Sequence, residues 1–413
     1  MPLDLLFRNV RLAGRESLCD IGVRAGRIAA IEPRIASGAP TEDLGGRLAV
    51  PGFVETHIHL DKSCILDRCR SEQGTLAEAI AQVAAAKRDF TEEDVHARAR
   101  RTLEKAILQG TTRMRTHVEV DPRIGLKSFR AIRRLKHDHA FAIDLDICVF
   151  PQEGLLNDPG TEELLVQACE AGADTIGGCP YTDTDPHGQI ARIFAIAQRY
   201  DLDVDFHLDF DLDPGWTHLD EVCRLTDRHG WGGRVAIGHV TKLSAMPEAA
   251  RAAAARRLAD AGVALTVLPA TDLFLMGRGH DHDVPRGVTP AHRLAEQGVT
   301  CSIATNNVLN PFTPFGDCSM VRIANLYANV AQLGRAAELE RCLDMITAAP
   351  ARLMNLPDYG IAVGNPADLV VLDARDPAGA VAEIAVPLGG WKRGRRTFTR
   401  APAVLHREAV AAE

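Results

Sequence analysis

The residues of this chain best suited to chemistry are the two histidines of Pro51-Gly-Phe-Val-Glu-Thr-His-Ile-His59. On an extended strand, residues i and i+2 share a face, so His57 and His59 can point at one place. Neutral imidazoles held in this way suit a borderline divalent cation such as zinc or iron. A lone pair of this kind is weak evidence, because strand-end histidines are commonly just solvated or hydrogen-bonded. Recurrence strengthens it. His117, His207 with Asp209, and His239 each close a short apolar run, and Gln152 and Asn306-Asn307 follow two others. Asp209 stands at i+2 from His207, as Asp61 does from His59, and both are candidate proton acceptors, with hydrogen bonding to a histidine or a loop backbone as the alternative. His96, His137 and His218 do not recur in this pattern and read as helix or loop residues.

These residues need a frame that brings strand ends together. Strand-like runs are expected at Phe53–His57, Arg113–Val118, Asp144–Phe150, Thr175–Gly178, Asp203–Leu208, Arg234–His239, Ala264–Leu268 and Thr300–Ala304. Helical stretches separate most of them: Thr75–Arg88, Thr91–Gln109, Leu126–His137, Thr161–Ala171, Ile190–Tyr200, Pro247–Ala261 and Thr289–Glu296. Eight strands at βα spacing predict an α/β fold, a (β/α)8 TIM-like barrel, whose working residues sit at the C-terminal strand ends. An open doubly wound sheet is the competitor, but the first strand is followed by no glycine-rich phosphate fingerprint. The first fifty residues read instead as short strands and turns, and the C-terminal part returns to that texture from Asp368-Leu-Val-Val-Leu-Asp onward. The expected organisation is a small β-sandwich from residues 1–50 and 356–413, around a barrel at 51–355.

Composition narrows the partners. The net charge of −8 offers no basic footprint for nucleic acid or an acidic membrane. Neither a signal-peptide pattern nor an apolar run of membrane-spanning length is found, so a cytoplasmic protein is expected. Ten scattered cysteines without a CxxC pair predict reduced, mostly packed thiols, Cys64 and Cys301 among them. The run Arg278-Gly-His-Asp-His-Asp-Val-Pro-Arg286 has the composition of a metal site, but its place beyond a strand end predicts a lid or solvated loop. Trp216 and Phe312 are candidates to stack on a flat ring, with core packing as the default for each.

Taken in order, Pro51-Gly-Phe-Val-Glu-Thr-His-Ile-His-Leu-Asp-Lys62, Arg115-Thr-His-Val-Glu-Val120, Phe150-Pro-Gln-Glu-Gly154, Asp205-Phe-His-Leu-Asp209, Gly238-His-Val-Thr-Lys242 and Asn306-Asn-Val-Leu-Asn-Pro-Phe312 resemble the amidohydrolase superfamily, in its cytosine deaminase-like branch. The resemblance covers nearly the whole chain. It implies a barrel with a β-sandwich built from both termini, one divalent metal ion, and hydrolysis of a non-peptide C–N bond in a small nitrogen compound. It implies His57, His59 and His207 as metal ligands with Asn306 in the fourth ligand's place, and His239 as the residue that orients the attacking water. It implies Gln152 as a hydrogen-bonding partner of the substrate. Lys62 is a further candidate for substrate binding, through an anionic oxygen, with pairing to a neighbouring acid as the alternative. Such enzymes are commonly homo-oligomers.

Two departures stand out. Where the resemblance calls for a proton-shuttling glutamate, His207-Leu-Asp209-Phe210 has a ring that cannot titrate. Where it calls for a metal-binding aspartate, Asn306 offers a carbonyl oxygen without charge and cannot act as a base near neutral pH. His239 is then the first candidate acceptor of a proton and Asp209 the second. The expectation is C–N hydrolysis, as deamination or amide hydrolysis, of a polar heterocycle or cyclic amide. The alternatives are a cytosine-type deaminase with a rearranged proton shuttle, or a barrel that binds such a ligand without turnover.

Overall fold

The computed structural model describes residues 2–406. Strands β1 (Leu5–Val10), β2 (Cys19–Arg24), β3 (Arg27–Glu32), β4 (Thr41–Asp43) and β5 (Leu48–Pro51) precede the barrel. The barrel strands are β6 (Phe53–Ile58), β7 (Thr111–Glu119), β8 (Asp144–Phe150), β9 (Thr175–Gly178), β10 (Asp203–Leu208), β11 (Val235–His239), β12 (Val263–Val267) and β13 (Cys301–Ile303). They pair in sequence order, all parallel. Buried on both faces, they read as near-continuous buried runs; every residue of β7 is buried. An isolated parallel bridge between Ile58 and Asn306 joins the two ends of the sheet. Eight strands at βα spacing thus give the expected barrel.

Helices coat it, and their starts carry local signals. Thr75 accepts from Glu78 N and Thr91 from Asp94 N, satisfying otherwise orphaned amides. Helices Leu219–His229, Met320–Ala331 and Ala336–Asp344 lie outside the sequence expectation. The last two follow the final barrel strand, where strand–helix alternation gives no further cue. No helix among the described residues is long and apolar enough to cross a membrane.

The C-terminal strands β14 (Leu369–Leu372), β15 (Pro387–Lys392) and β16 (Arg395–Thr399) form a sheet in the order β16-β15-β14-β5, beside a second sheet in the order β3-β2-β1-β4. Strand β5 therefore carries the N-terminal segment into the C-terminal sheet. The two sheets share a core in which Phe7 meets Trp391 edge to face at 5.0 Å. A buried charge cluster fastens this unit to the N-terminal ends of the barrel strands. Asp368 Oδ2 accepts from Arg113 Nη1 at 2.7 Å and from Lys392 Nζ at 2.8 Å.

The crossing from β5 into β6 passes so close to β7 that a Cβ on Gly52 would lie 2.2 Å from the Thr112 side chain. A glycine is required there by space, not by dihedral angle. Gly52→Ala is expected to lower stability by about 1–3 kcal/mol, the usual cost of overpacking, as measured by urea unfolding.

Candidate metal centre and active site

Closure of the barrel assembles the centre. Asn306 N donates to His57 O at 2.8 Å, and His59 N donates to Asn306 O at 2.9 Å. Behind them the buried Glu55 carboxylate accepts from His57 N and Thr305 N, tying β6 to the segment after β13. Burial pushes this carboxyl up to about 7 against those hydrogen bonds.

His57 Nε2 lies 3.0 Å from His207 Nε2, which lies 3.2 Å from His59 Nε2. The edge of a tetrahedron with metal–nitrogen bonds of 2.0–2.1 Å is about 3.3 Å, so the spacing fits a shared cation. Burial above all holds the three imidazoles well below the usual histidine range; repulsion from neighbouring basic side chains adds to this, His117 first for His57 and His207 and Lys62 first for His59. Neutral rings are the ligand form. His59 Nδ1 faces His117 O at 3.2 Å, which assigns its proton to Nδ1 and its lone pair to Nε2. Asn306 Oδ1 is buried without a hydrogen-bond partner among the described residues, an orphan that a cation would satisfy. The residues present therefore fit the ion.

The other predicted residues separate into two groups. His239 closes β11 in the left-handed region, φ 69°, with Nδ1 2.7 Å from Asp272 Oδ1. The Phe210 ring packs on it, centroids 3.9 Å apart. Lys62, Gln152 and Phe312 form a second cluster. Lys62 Nζ donates to Glu119 Oε1 at 2.6 Å and Gln152 Oε1 at 3.0 Å, and stands 4.4 Å from the centre of the Phe312 ring. Asp209 joins neither group. Its carboxylate accepts from Thr217 Oγ1 and from His218 N and Nδ1, the last at 2.8 Å. The expectation for Asp209 assumed that alternation continues past His207, but β10 ends at Leu208 and Asp209 turns to φ 50°. Asp61 likewise serves its loop, accepting from Lys62 N and Glu119 N. Trp216 lies half-exposed against Lys242, and the His280–Asp283 run lies on an exposed loop.

Two neighbours of the site, Glu119 and Lys87, were not anticipated, and His117, expected at a strand end but given no role, belongs with them. His117 stacks on His57 at 3.8 Å, with Nε2 3.6 Å from Asp205 Oδ1. Glu119 and Lys87 extend the Lys62 contact outward. Lys87 Nζ donates to Glu119 Oε2 at 2.8 Å, Asp121 Oδ2 at 2.5 Å and Glu153 Oε1 at 2.6 Å. The three carboxylates resemble a metal site by composition, but an ammonium already occupies their centre. Glu119 carried a signal, since it stands two residues beyond His117 on the same strand face. Lys87 carried none, because it follows an outer helix 32 residues away.

Burial opposes ionisation of Glu119, but Lys62 and Lys87 overcome it and hold the carboxyl down at about 2. A carboxyl lowered in the folded state contributes stability that is complete above its ordinary value of 4.5 and lost as pH falls toward about 2. Glu119→Gln is expected to flatten the dependence of unfolding free energy on pH across that window, read by urea unfolding at successive pH values.

Comparisons with known proteins agree with this geometry. The family model described as "Amidohydrolase family" matches residues 41–143 and 134–398. The N-isopropylammelide isopropyl amidohydrolase of Pseudomonas sp. (strain ADP) is 29% identical over 401 residues, 95% of this chain and 96% of that protein. The pterin deaminase of Rhizobium rhizogenes is 31% identical over 367 residues, 86% of this chain and 82% of the relative. The crystal structure of 5-methylcytosine deaminase from Klebsiella pneumoniae, liganded with 5-fluorocytosine, superposes with a TM-score of 0.93 at 31% identity, covering 97% of this chain and 99% of that one. With its barrel, terminal sheets and matched length, this chain belongs to the amidohydrolase family.

Proposed function

We propose that this chain is a metal-dependent hydrolase that cleaves a non-peptide C–N bond in a small, flat, polar nitrogen heterocycle or a related cyclic amide. The observation that carries this reading is the approach of three neutral imidazole nitrogens to 3.0 and 3.2 Å of one another, with Asn306 Oδ1 buried and without a hydrogen-bond partner among the described residues. His57, His59 and His207 would hold one divalent ion, zinc or iron, with Asn306 Oδ1 as a neutral fourth donor. When bound, the ion supplies Lewis-acid polarisation and an activated water.

The remaining residues bind and orient. An ammonium has three donors, and Lys62 gives two of them to Glu119 and Gln152, leaving one for a substrate oxygen. Phe312 offers an aromatic ring beside that cation, and Gln152 a polar amide on it. His239, one imidazole nitrogen of which lies within 4.8 Å of those of His57 and His207, is the proton acceptor. Phe210 places no acid against it, which favours a leaving group that needs little protonation, or a cyclic amide or imide. The named substrates of the relatives, an ammelide derivative, a pterin and 5-methylcytosine, are flat nitrogen heterocycles and support the substrate class.

A second reading is a barrel that binds such a heterocycle without turning it over. Phe210 and Asn306 favour it; the intact histidine cluster favours catalysis. A direct experiment separates the two. The purified protein is loaded with zinc, iron(II) or manganese and incubated with 5-methylcytosine, cytosine, N-isopropylammelide, pterins and cyclic amides. The expected result is about one ion per chain, lost in His57→Ala and His207→Ala, with release of ammonia, amine or ring-opened product. Stoichiometric metal and ligand binding without product would select the binding reading. Absence of both metal and product would overturn the proposal.

A further inference from the structure

We infer that Asp272 is a positioning residue that fixes the tautomer of His239, so that one imidazole carries the proton for both halves of the reaction. The inference rests on the hydrolytic reading above and assigns a residue to which the sequence reading gave no role. Asp272 lies in the helix Pro269–Leu275, directly after β12, and is fully buried. Its Oδ1 faces His239 Nδ1 at 2.7 Å, and its Oδ2 accepts from Leu268 N at 3.2 Å. Both carboxylate oxygens are thus held from two directions. Burial raises the carboxyl, and the contact with His239 opposes that rise.

An ionised carboxylate can only accept, so the hydrogen between the two groups belongs to His239 Nδ1. The lone pair then lies on Nε2. Phe210 covers one face of the ring, its own ring tilted by 33°, and keeps a second acid from that face. Asn306, across the site, brings no charge. The pairing of His239 with Asp272 therefore supplies the fixed negative charge and the ring orientation that the amide cannot.

The reaction balances through this one carrier. Water gives its oxygen to the ring carbon as the C–O bond forms, and Nε2 takes one of its protons. As the C–N bond breaks, Nε2 returns that proton to the departing nitrogen, which leaves as ammonia or amine. The second proton of the water stays with the product. Between the two transfers the ring is an imidazolium whose Nδ1–H remains on Asp272.

Zinc-loaded, 15N-labelled protein tests this through long-range proton–nitrogen correlations of the histidine rings, with His239→Gln identifying the His239 signals. The expected spectrum shows His239 protonated at Nδ1 and bare at Nε2, and Asp272→Ala mixes in the opposite tautomer. A wild-type His239 protonated at Nε2, or a tautomer unchanged in Asp272→Ala, overturns the inference; the wild-type spectrum decides even where a variant does not fold. With any substrate found to turn over, Asp272→Ala is expected to lower kcat roughly 10–100-fold with little change in KM, because the interaction operates in the transition state. Equal losses in kcat and metal content would instead mark Asp272 as structural and overturn the role. Failure of every substrate would sink the hydrolytic reading, while the tautomer measurement would still be decided.

Discussion

Two backbone hydrogen bonds between the first and last strands of the barrel carry more of this molecule than their number suggests. They run from Asn306 N to His57 O and from His59 N to Asn306 O. A parallel sheet of eight strands has two open edges until such bonds close it, and closure here coincides with the site. The histidine pair of β6, the amide beyond β13 and the imidazole of β10 come from distant parts of the chain. They meet only because the sheet wraps round. Glu55 reinforces the seam with one carboxylate shared by His57 N and Thr305 N. The left-handed conformations of Asp209, His239, Val240 and Asn306 lie at the same strand ends. They are costly for residues with a Cβ, the more so for β-branched Val240, and the surrounding framework must hold them in place.

The interior of the mouth is dense with ionisable groups, and their arrangement explains why the fold tolerates them. A charge taken from water costs several kcal/mol unless it is paired and hydrogen-bonded. Lys62, Glu119 and Lys87 alternate in sign from Lys62 outward, and Asp121 and Glu153 both pair with Lys87. The same logic applies at the other end of the barrel, where Arg113, Asp368 and Lys392 fasten the terminal sheets. The clustered histidines His57, His59 and His207 follow the opposite rule. They stay neutral because burial and neighbouring cations make a further positive charge unfavourable.

Much of this was legible in the sequence, and the reason is periodicity. The eight barrel strands lie within a few residues of the apolar runs that announced them, since a strand buried on both faces leaves a short continuous signature. The histidines at their ends were legible by the same register. What followed the strand ends was not. Asp209 and Asp61 were placed by alternation, which ends where the backbone turns; Asp209 bonds Thr217 and His218, and Asp61 bonds the backbone of Lys62 and Glu119. Asp272 drew no expectation, because a seven-residue helix beginning Pro269-Ala-Thr-Asp leaves little helical periodicity. Lys87 sits after an outer helix, and no local pattern marks a side chain that reaches inward across the barrel coat.

The alternating charges beneath Lys62 bear on how this site can change through descent. Lys62 could be exchanged for a neutral residue only by leaving Glu119 half-paired, and Glu119 only by unbalancing Lys87 among the remaining carboxylates. Positions 62, 87, 119, 121 and 153 are therefore bound into one epistatic unit, although the chain scatters them over about ninety residues. Single substitutions within the unit are penalised by the neighbours they strand, whatever they offer the substrate. New specificities in this lineage are expected to arise at the aromatic rings Phe210 and Phe312, which pack on His239 and against Lys62, where a change of shape strands no charge.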